Sequence, residues 1–185
     1  YYARMLFYGN EVPQNKEEAL KYFKIGGKNG CLFSIYLYAV IKLMKLDGSS
    51  EITKKDKKEA FHYIKKLIDL EFTQAITFFM FYVILNETIL FFKIEDIKNS
   101  TFNGYIPMSE EELALYKQKA LVFIEKECEK ENEYILLFYA SVLSSSLPEY
   151  SDENKAIKYL EKLVSLGNTQ AMNILGNKYR YGHGV

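Results

Sequence analysis

The stretch ENKAIKYLEKLVSLGNTQAMNILGNKYRYGHGV, Glu153 to Val185, decides how this chain folds. Ala156 is followed at +3 and +4 by Tyr159 and Leu160, then at +11 by Gly167, and Ala171 opens a second apolar helix. NKEEALKYFKIGGKNG, Asn15 to Gly30, repeats the sentence with Ala19, Tyr22/Phe23 and Gly30, and Ser34 follows. Two fainter copies put Ala60 before Tyr63/Ile64, Glu71 and Ala75, and Ala120 before Phe123/Ile124, Glu131 and Ile135. A repeat on this scale means stacked helix pairs, each burying its apolar face on its neighbours. It turns the functional question from a single active site to what lies along a surface.

The four alanines are 41, 60 and 36 residues apart. With 36 as the unit, the first interval carries 5 extra residues and the second 24. This gives a partial unit at 1–14, units at about 15–50, 51–85, 109–147 and 148–185, and an insertion at about 86–108. Outer helices are predicted over 16–28, 54–69, 110–130 and 152–165. Inner helices are predicted over 1–8, 31–46, 72–85, 132–145 and 168–181. Cap residues precede acids by three at Asn15/Glu18, Thr53/Asp56 and Ser109/Glu112, and Ser151 serves before Asp152 and Glu153. Pro13, Pro107 and Pro148 fall just upstream of these starts, where no helix has to continue. No alternating run bounded by turns reads as a strand. The insertion centre, Ile89 to Ile97, is too apolar for a solvated linker and reads as a short extra helix packed on the array.

Twenty-four basic residues balance 24 acidic ones, which argues against a broad nucleic-acid footprint. No segment reaches about 18 uninterrupted apolar residues, so no membrane span is expected. The chain begins without Met inside a repeat and reads as a piece of something longer, with flanking domains to be expected. Cys31 and Cys128 form neither a disulfide framework nor a zinc pattern and lean towards a reducing, cytoplasmic compartment over the endoplasmic-reticulum lumen. Cys31 reads as a small buried filler, although its place near a helix start lowers a thiol's pKa. Cys128 lies between Glu127 and Glu129, which disfavours a thiolate. His62 reads as a boundary residue and His183 as a solvated loop residue. No nucleophile has a base beside it, so neither catalytic residues nor a metal or cofactor are expected. Asn86-Glu87-Thr88 and Asn99-Ser100-Thr101 match the glycosylation triplet.

The run from Tyr2-Ala3 through Met5-Leu6, Tyr8-Gly9 and Val12, and the run from Gly167 through Ala171, Leu175-Gly176, Tyr179, Gly182 and Gly184-Val185, resemble Sel1-like repeats. These relatives of tetratricopeptide repeats stack helix pairs into a right-handed all-α superhelix. The likeness is strong at both ends and faded in the middle. There Lys42 and Val83 replace the tyrosine, Glu71 and Glu131 replace the glycine, and the glycine loop is missing after Met44, Leu85 and Ser145. The resemblance implies a non-enzymatic adaptor that binds a protein or peptide along its concave face. It also allows a lumenal subunit of an endoplasmic-reticulum degradation complex or the repeat arm of a kinase. Last comes a cysteine-dependent hydrolase, whose relatives carry a cysteine pair in each repeat.

The resemblance places the inner helices on the concave face. Phase transfer from the last copy then puts Gln170, Asn173, Asn177, Arg180 and Tyr181 on it. Equivalents are Tyr134, Leu137, Ser141, Ser144 and Ser145, then Gln74, Thr77, Phe81, Ile84 and Leu85, then Phe33, Tyr36, Val40, Leu43 and Met44, and finally Arg4, Phe7 and Tyr8. The C-terminal half is polar and suits hydrogen bonding to a peptide. The N-terminal half is apolar, to be covered by the insertion around Phe91 and Phe92 or by flanking repeats beyond this sequence or, if open, to serve as a groove for a partner helix.

Overall fold

The computed structural model describes residues 1–49, 52–91 and 105–182. Among them are nine helices and no strand. The inner series is α1 (Tyr2–Tyr8), α3 (Leu32–Leu43), α5 (Thr73–Phe91), α7 (Glu133–Leu143) and α9 (Thr169–Tyr181). The outer series is α2 (Lys16–Lys28), α4 (Lys54–Asp69), α6 (Glu110–Glu129) and α8 (Glu153–Ser165). Each helix packs on the next in the chain, apart from the weaker join of α5 to α6, which is supplemented by α4 on α6 and α5 on α7. The result is an all-α helical repeat solenoid.

The repeat alanines hold its layers together. Ala19, Ala60, Ala120 and Ala156 are wholly buried, as are Ala39, Ala75 and Ala171 on the inner helices. A larger side chain at any of them would push two helices apart. Gly26 and Gly27 mark the closest approach: a Cβ on Gly27 would stand 2.6 Å from that of Ile35 on α3. Gly176 has open space where a Cβ would point, so its smallness serves no contact in this chain.

Helix starts follow the expected chemistry. Asn15, Thr53 and Ser109 side chains each accept from the backbone N–H three residues on, at 3.0, 3.0 and 3.1 Å. Ser109 and Glu112 close a reciprocal capping box. At α8 the cap is Asp152, not Ser151: its carboxylate accepts from the Lys155 N–H at 3.0 Å. Asn132 and Asn168 cap α7 and α9 in the same way.

The insertion differs from expectation at its start. α5 does not stop at Leu85 but runs on to Phe91, and within this extension Asn86 and Thr88 donate to the carbonyls of Tyr82 and Ile84, each at 2.8 Å. Glu87 then accepts from Lys117 on α6 at 3.2 Å and from the Tyr150 hydroxyl at 2.7 Å. Burial and the Glu87 carboxylate push that phenol far above its ordinary range. Asn86 is buried, so a glycan there is incompatible with this fold. Asn99, the part of the expected extra helix beyond Phe91 and the expected solvated loop residue His183 lie outside the described residues.

Candidate partner-binding surface

The inner helices place the candidate residues in columns, one residue per layer. Phe33, Gln74, Tyr134 and Gln170 share one repeat position, and all four are exposed. Arg4, Val40, Phe81, Ser141 and Asn177 share another, exposed except for the partly buried Val40. Between these stripes, Tyr36 and Leu137 are partly buried, Thr77 is buried and Asn173 is exposed. The fourth column turns inward at its N-terminal end. Phe7 and Leu43 are core residues, whereas Ser144 and Arg180 are open to solvent.

Three of the expected contact residues are therefore corrected. Leu43 is wholly buried, Phe7 is 8% exposed and Thr77 is 4% exposed, so none offers its side chain to a partner. In the last repeat, which sets the phase, the equivalent positions Asn173 and Arg180 are exposed. In the earlier repeats the same positions are covered by neighbouring elements, Phe7 by Phe23 of α2 and Thr77 by Tyr134 of α7. Thr77 still shapes the surface, since its hydroxyl lies 3.3 Å from that of Tyr134 and links α5 to α7.

The apolar half is an aromatic cluster between α3 and α5. The Tyr36 ring lies 6.1 Å from Phe33, 5.7 Å from Phe72 and 6.3 Å from Phe78. Phe72 and Phe78 escaped the phase transfer, and their only sequence signal is aromatic density around Phe79. Phe81 is 47% exposed, and of the insertion residues expected to cover this half, Phe92 and the side chain of Phe91 lie outside the described residues.

The polar half holds a cleft of about 740 Å³ between the C-terminal halves of α7 and α9. Ser141, Ser144, Asn177 and Tyr181 line it, as the phase transfer implies. Ala140, Leu160 and Ile174 add apolar wall, and Ser146 and Ser151 add hydroxyls. Glu153 and Lys178, which the sequence reading missed, form an ion pair across one side. Nothing local in the sequence announces that pair, since its members are 25 residues apart.

Elsewhere the chemistry is sparse. Cys31 is exposed rather than buried, because it precedes α3 instead of packing within it. The Ser34 hydroxyl, donating to Cys31 Sγ at 3.1 Å, holds that thiol below its usual range. Burial pushes the Cys128 thiol up to about 11. Among the described residues no cluster of ligating side chains fits a metal ion, and no helix is long and apolar enough to cross a membrane.

A stack of helix pairs with buried alanines between layers, and with an accessible face on one helix of each pair, defines a repeat scaffold of the tetratricopeptide kind. The Sel1 repeat model matches residues 1–31, 33–72, 144–168 and 169–185, more than half of the chain. The protein belongs to the Sel1 repeat family. The long unmatched stretch is 73–143, which holds Val83 in place of the repeat's tyrosine and Glu131 in place of its glycine. Neither the curated proteins nor the solved structures contain a significant match.

Proposed function

We propose that this chain is a non-enzymatic scaffold that docks a peptide or helix of a protein partner along the face formed by α1, α3, α5, α7 and α9. Sel1 repeats generally mediate protein–protein interaction, and the family's concave face is the natural surface for it. The observation that carries the reading is the exposure of a large apolar side chain on each of three successive inner helices, Phe33 and Tyr134 at one repeat position and Phe81 at the neighbouring one. Phe33 is 42% exposed, Phe81 47% and Tyr134 59%, on successive inner helices. Single exposed hydrophobes are ordinary, but several on one face of successive helices favour an interaction site. The row carries no acid, and its two charged members, Arg4 and Arg180, are the only arginines of the chain. The complementary partner is apolar in its middle and acidic towards its ends. A cytoplasmic adaptor, a lumenal degradation subunit and a kinase repeat arm differ in flanks and compartment, not in this face.

A random dodecapeptide library displayed on phage and selected on the intact chain tests this. Selected peptides are expected to weaken at least tenfold, about 1.4 kcal/mol, on Phe81→Ala, and to ignore Val122→Ala on α6. Peptides that respond equally to both substitutions, or no selected peptides at all, would defeat the proposal.

A further inference from the structure

We infer that the cleft between α7 and α9 anchors the partner by receiving an uncharged carboxamide side chain, glutamine or asparagine. This rests on the reading of the inner-helix face as a peptide-docking surface. The cleft has the size of an ordinary ligand site. Its charge is already cancelled. Lys178, with 12% of its side chain exposed, pairs with Glu153, with 31% exposed. An incoming carboxylate or ammonium would have to compete for one partner and strand the other in a partly enclosed site, which is costly.

The remaining polar lining is of another kind. Ser144, Ser146 and Ser151 are hydroxyls and Asn177 is a carboxamide, so each both donates and accepts. The Ser145 hydroxyl is buried in the wall with no hydrogen-bond partner among the described residues, which leaves polar capacity unused at this place. Ser141 already donates to the Leu137 carbonyl at 3.0 Å and retains only its lone pairs for a ligand. A ligand that matches this lining presents a donor and an acceptor side by side. A carboxamide does so; a carboxylate only accepts and an ammonium only donates. Ile174, only partly buried, takes up the methylenes that carry it.

Placement ties the cleft to the docking face. Ser141 and Asn177 line the cleft and also continue the exposed column of Phe81. α7 is one layer beyond Phe81 and α9 is two, or about 10–20 Å at ordinary helix spacing. An extended peptide rising about 3.3 Å per residue covers that with roughly three to six residues. The motif is therefore an apolar residue on Phe81 and a glutamine or asparagine about three to six positions away.

The dodecapeptide selection reads this directly. Enrichment of that pair is expected. In a synthetic selected peptide, Gln→Glu is expected to weaken binding at least tenfold. Asn177→Leu, at an exposed helical position where circular dichroism verifies folding, is expected to weaken the glutamine peptide about tenfold and to leave its Gln→Leu version unchanged. Peptides that depend on Phe81 but show no carboxamide preference and no response to Asn177→Leu would overturn the anchor and leave the docking face standing. Peptides indifferent to Phe81 would overturn both.

Discussion

Lys57 carries a positive charge into the interior near the start of α4, where the helix dipole is also positive. It is 2% exposed and donates to the Tyr105 carbonyl at 3.2 Å, with the Tyr105 ring 5.8 Å away. Burial, reinforced by Lys45, pulls its pKa from 10.5 to about 8. The folded chain thus sheds this proton near pH 8 and the unfolded chain near 10.5. Between those values the unfolded state holds more protons, so stability rises with pH. Above about pH 10 the trend reverses. The phenols of Tyr38, Tyr82, Tyr116 and Tyr139 are pushed up to about 12 by burial, so the unfolded chain loses those protons first. Lys57→Met keeps the apolar stem and removes the charge. It is expected to flatten the rise of stability between pH 7 and pH 10. Urea unfolding at both pH values measures this, and a rise that persists unchanged would show that Lys57 is not its source.

At the scale of the helix, one motif closes all four outer helices. Gly30, Glu71, Glu131 and Gly167 have φ of 86°, 52°, 59° and 85°. Each donates its N–H to the carbonyl three residues back, at 3.1, 2.9, 3.2 and 3.0 Å, and the next residue donates to the carbonyl five back from itself. This is a Schellman ending built twice on glycine and twice on glutamate. A left-handed conformation costs a side-chain-bearing residue about 1–2 kcal/mol. Glycine's extra freedom in the unfolded chain takes back about 0.4–1 kcal/mol. The Glu131–Lys162 and Glu71–Lys126 pairs, at 3.2 and 3.7 Å, are exposed and contribute little. Glu71→Gly and Glu131→Gly are therefore each expected to raise stability by about 0.5–1 kcal/mol, seen as a higher urea midpoint at unchanged slope. A fall in the midpoint would mean that the ion pairs matter more than the backbone. The same four turns show what could be read in advance. Helix order, the outer-helix limits and three of four outer caps followed from the alanine period and the cap residues, because those signals are local. The extension of α5 through Asn86 and the inward turn of Phe7, Leu43 and Thr77 did not. They depend on which neighbour covers a given face, and a repeat's phase carries no record of that. The cleft's Glu153–Lys178 pair was hidden for the same reason.

Across the whole array, neighbouring layers are tied by charge at fixed repeat positions. The residue five after one alanine meets the residue one before the next, with an inner-helix tyrosine between them. Between α2 and α4 these are Lys24 and Glu59, 2.6 Å apart, and the Tyr38 hydroxyl donates to Glu59 at 3.0 Å. Between α6 and α8 they are Glu125 and Lys155, 2.9 Å apart, and the Tyr139 hydroxyl donates to Glu125 at 3.2 Å. The signs are exchanged while the geometry is kept. Each lysine also lies over its tyrosine ring, at 5.3 and 5.1 Å. The middle interface puts lysine at both positions, Lys65 and Lys119, and so cannot use this pairing. It is rebuilt with Glu112 and Asp69, at 3.0 and 2.6 Å, and with Tyr116 supplied by α6 in place of the inner-helix tyrosine. The charge order thus differs from interface to interface, which disfavours pairing of similar repeats out of register. The hydrogen bond from Lys155 holds the Glu125 carboxyl below its ordinary value, so this contribution is present above the usual carboxylate range and is lost as pH falls through the lowered pKa. Glu125→Lys alone faces Lys155 with a like charge and is expected to cost about 1 kcal/mol at pH 7. Adding Lys155→Glu recreates the order used between α2 and α4 and is expected to recover more than half of that loss. A double variant as unstable as the sum of the two single changes would show that the exchanged triads are incidental, and that the buried alanines and aromatics alone set the register.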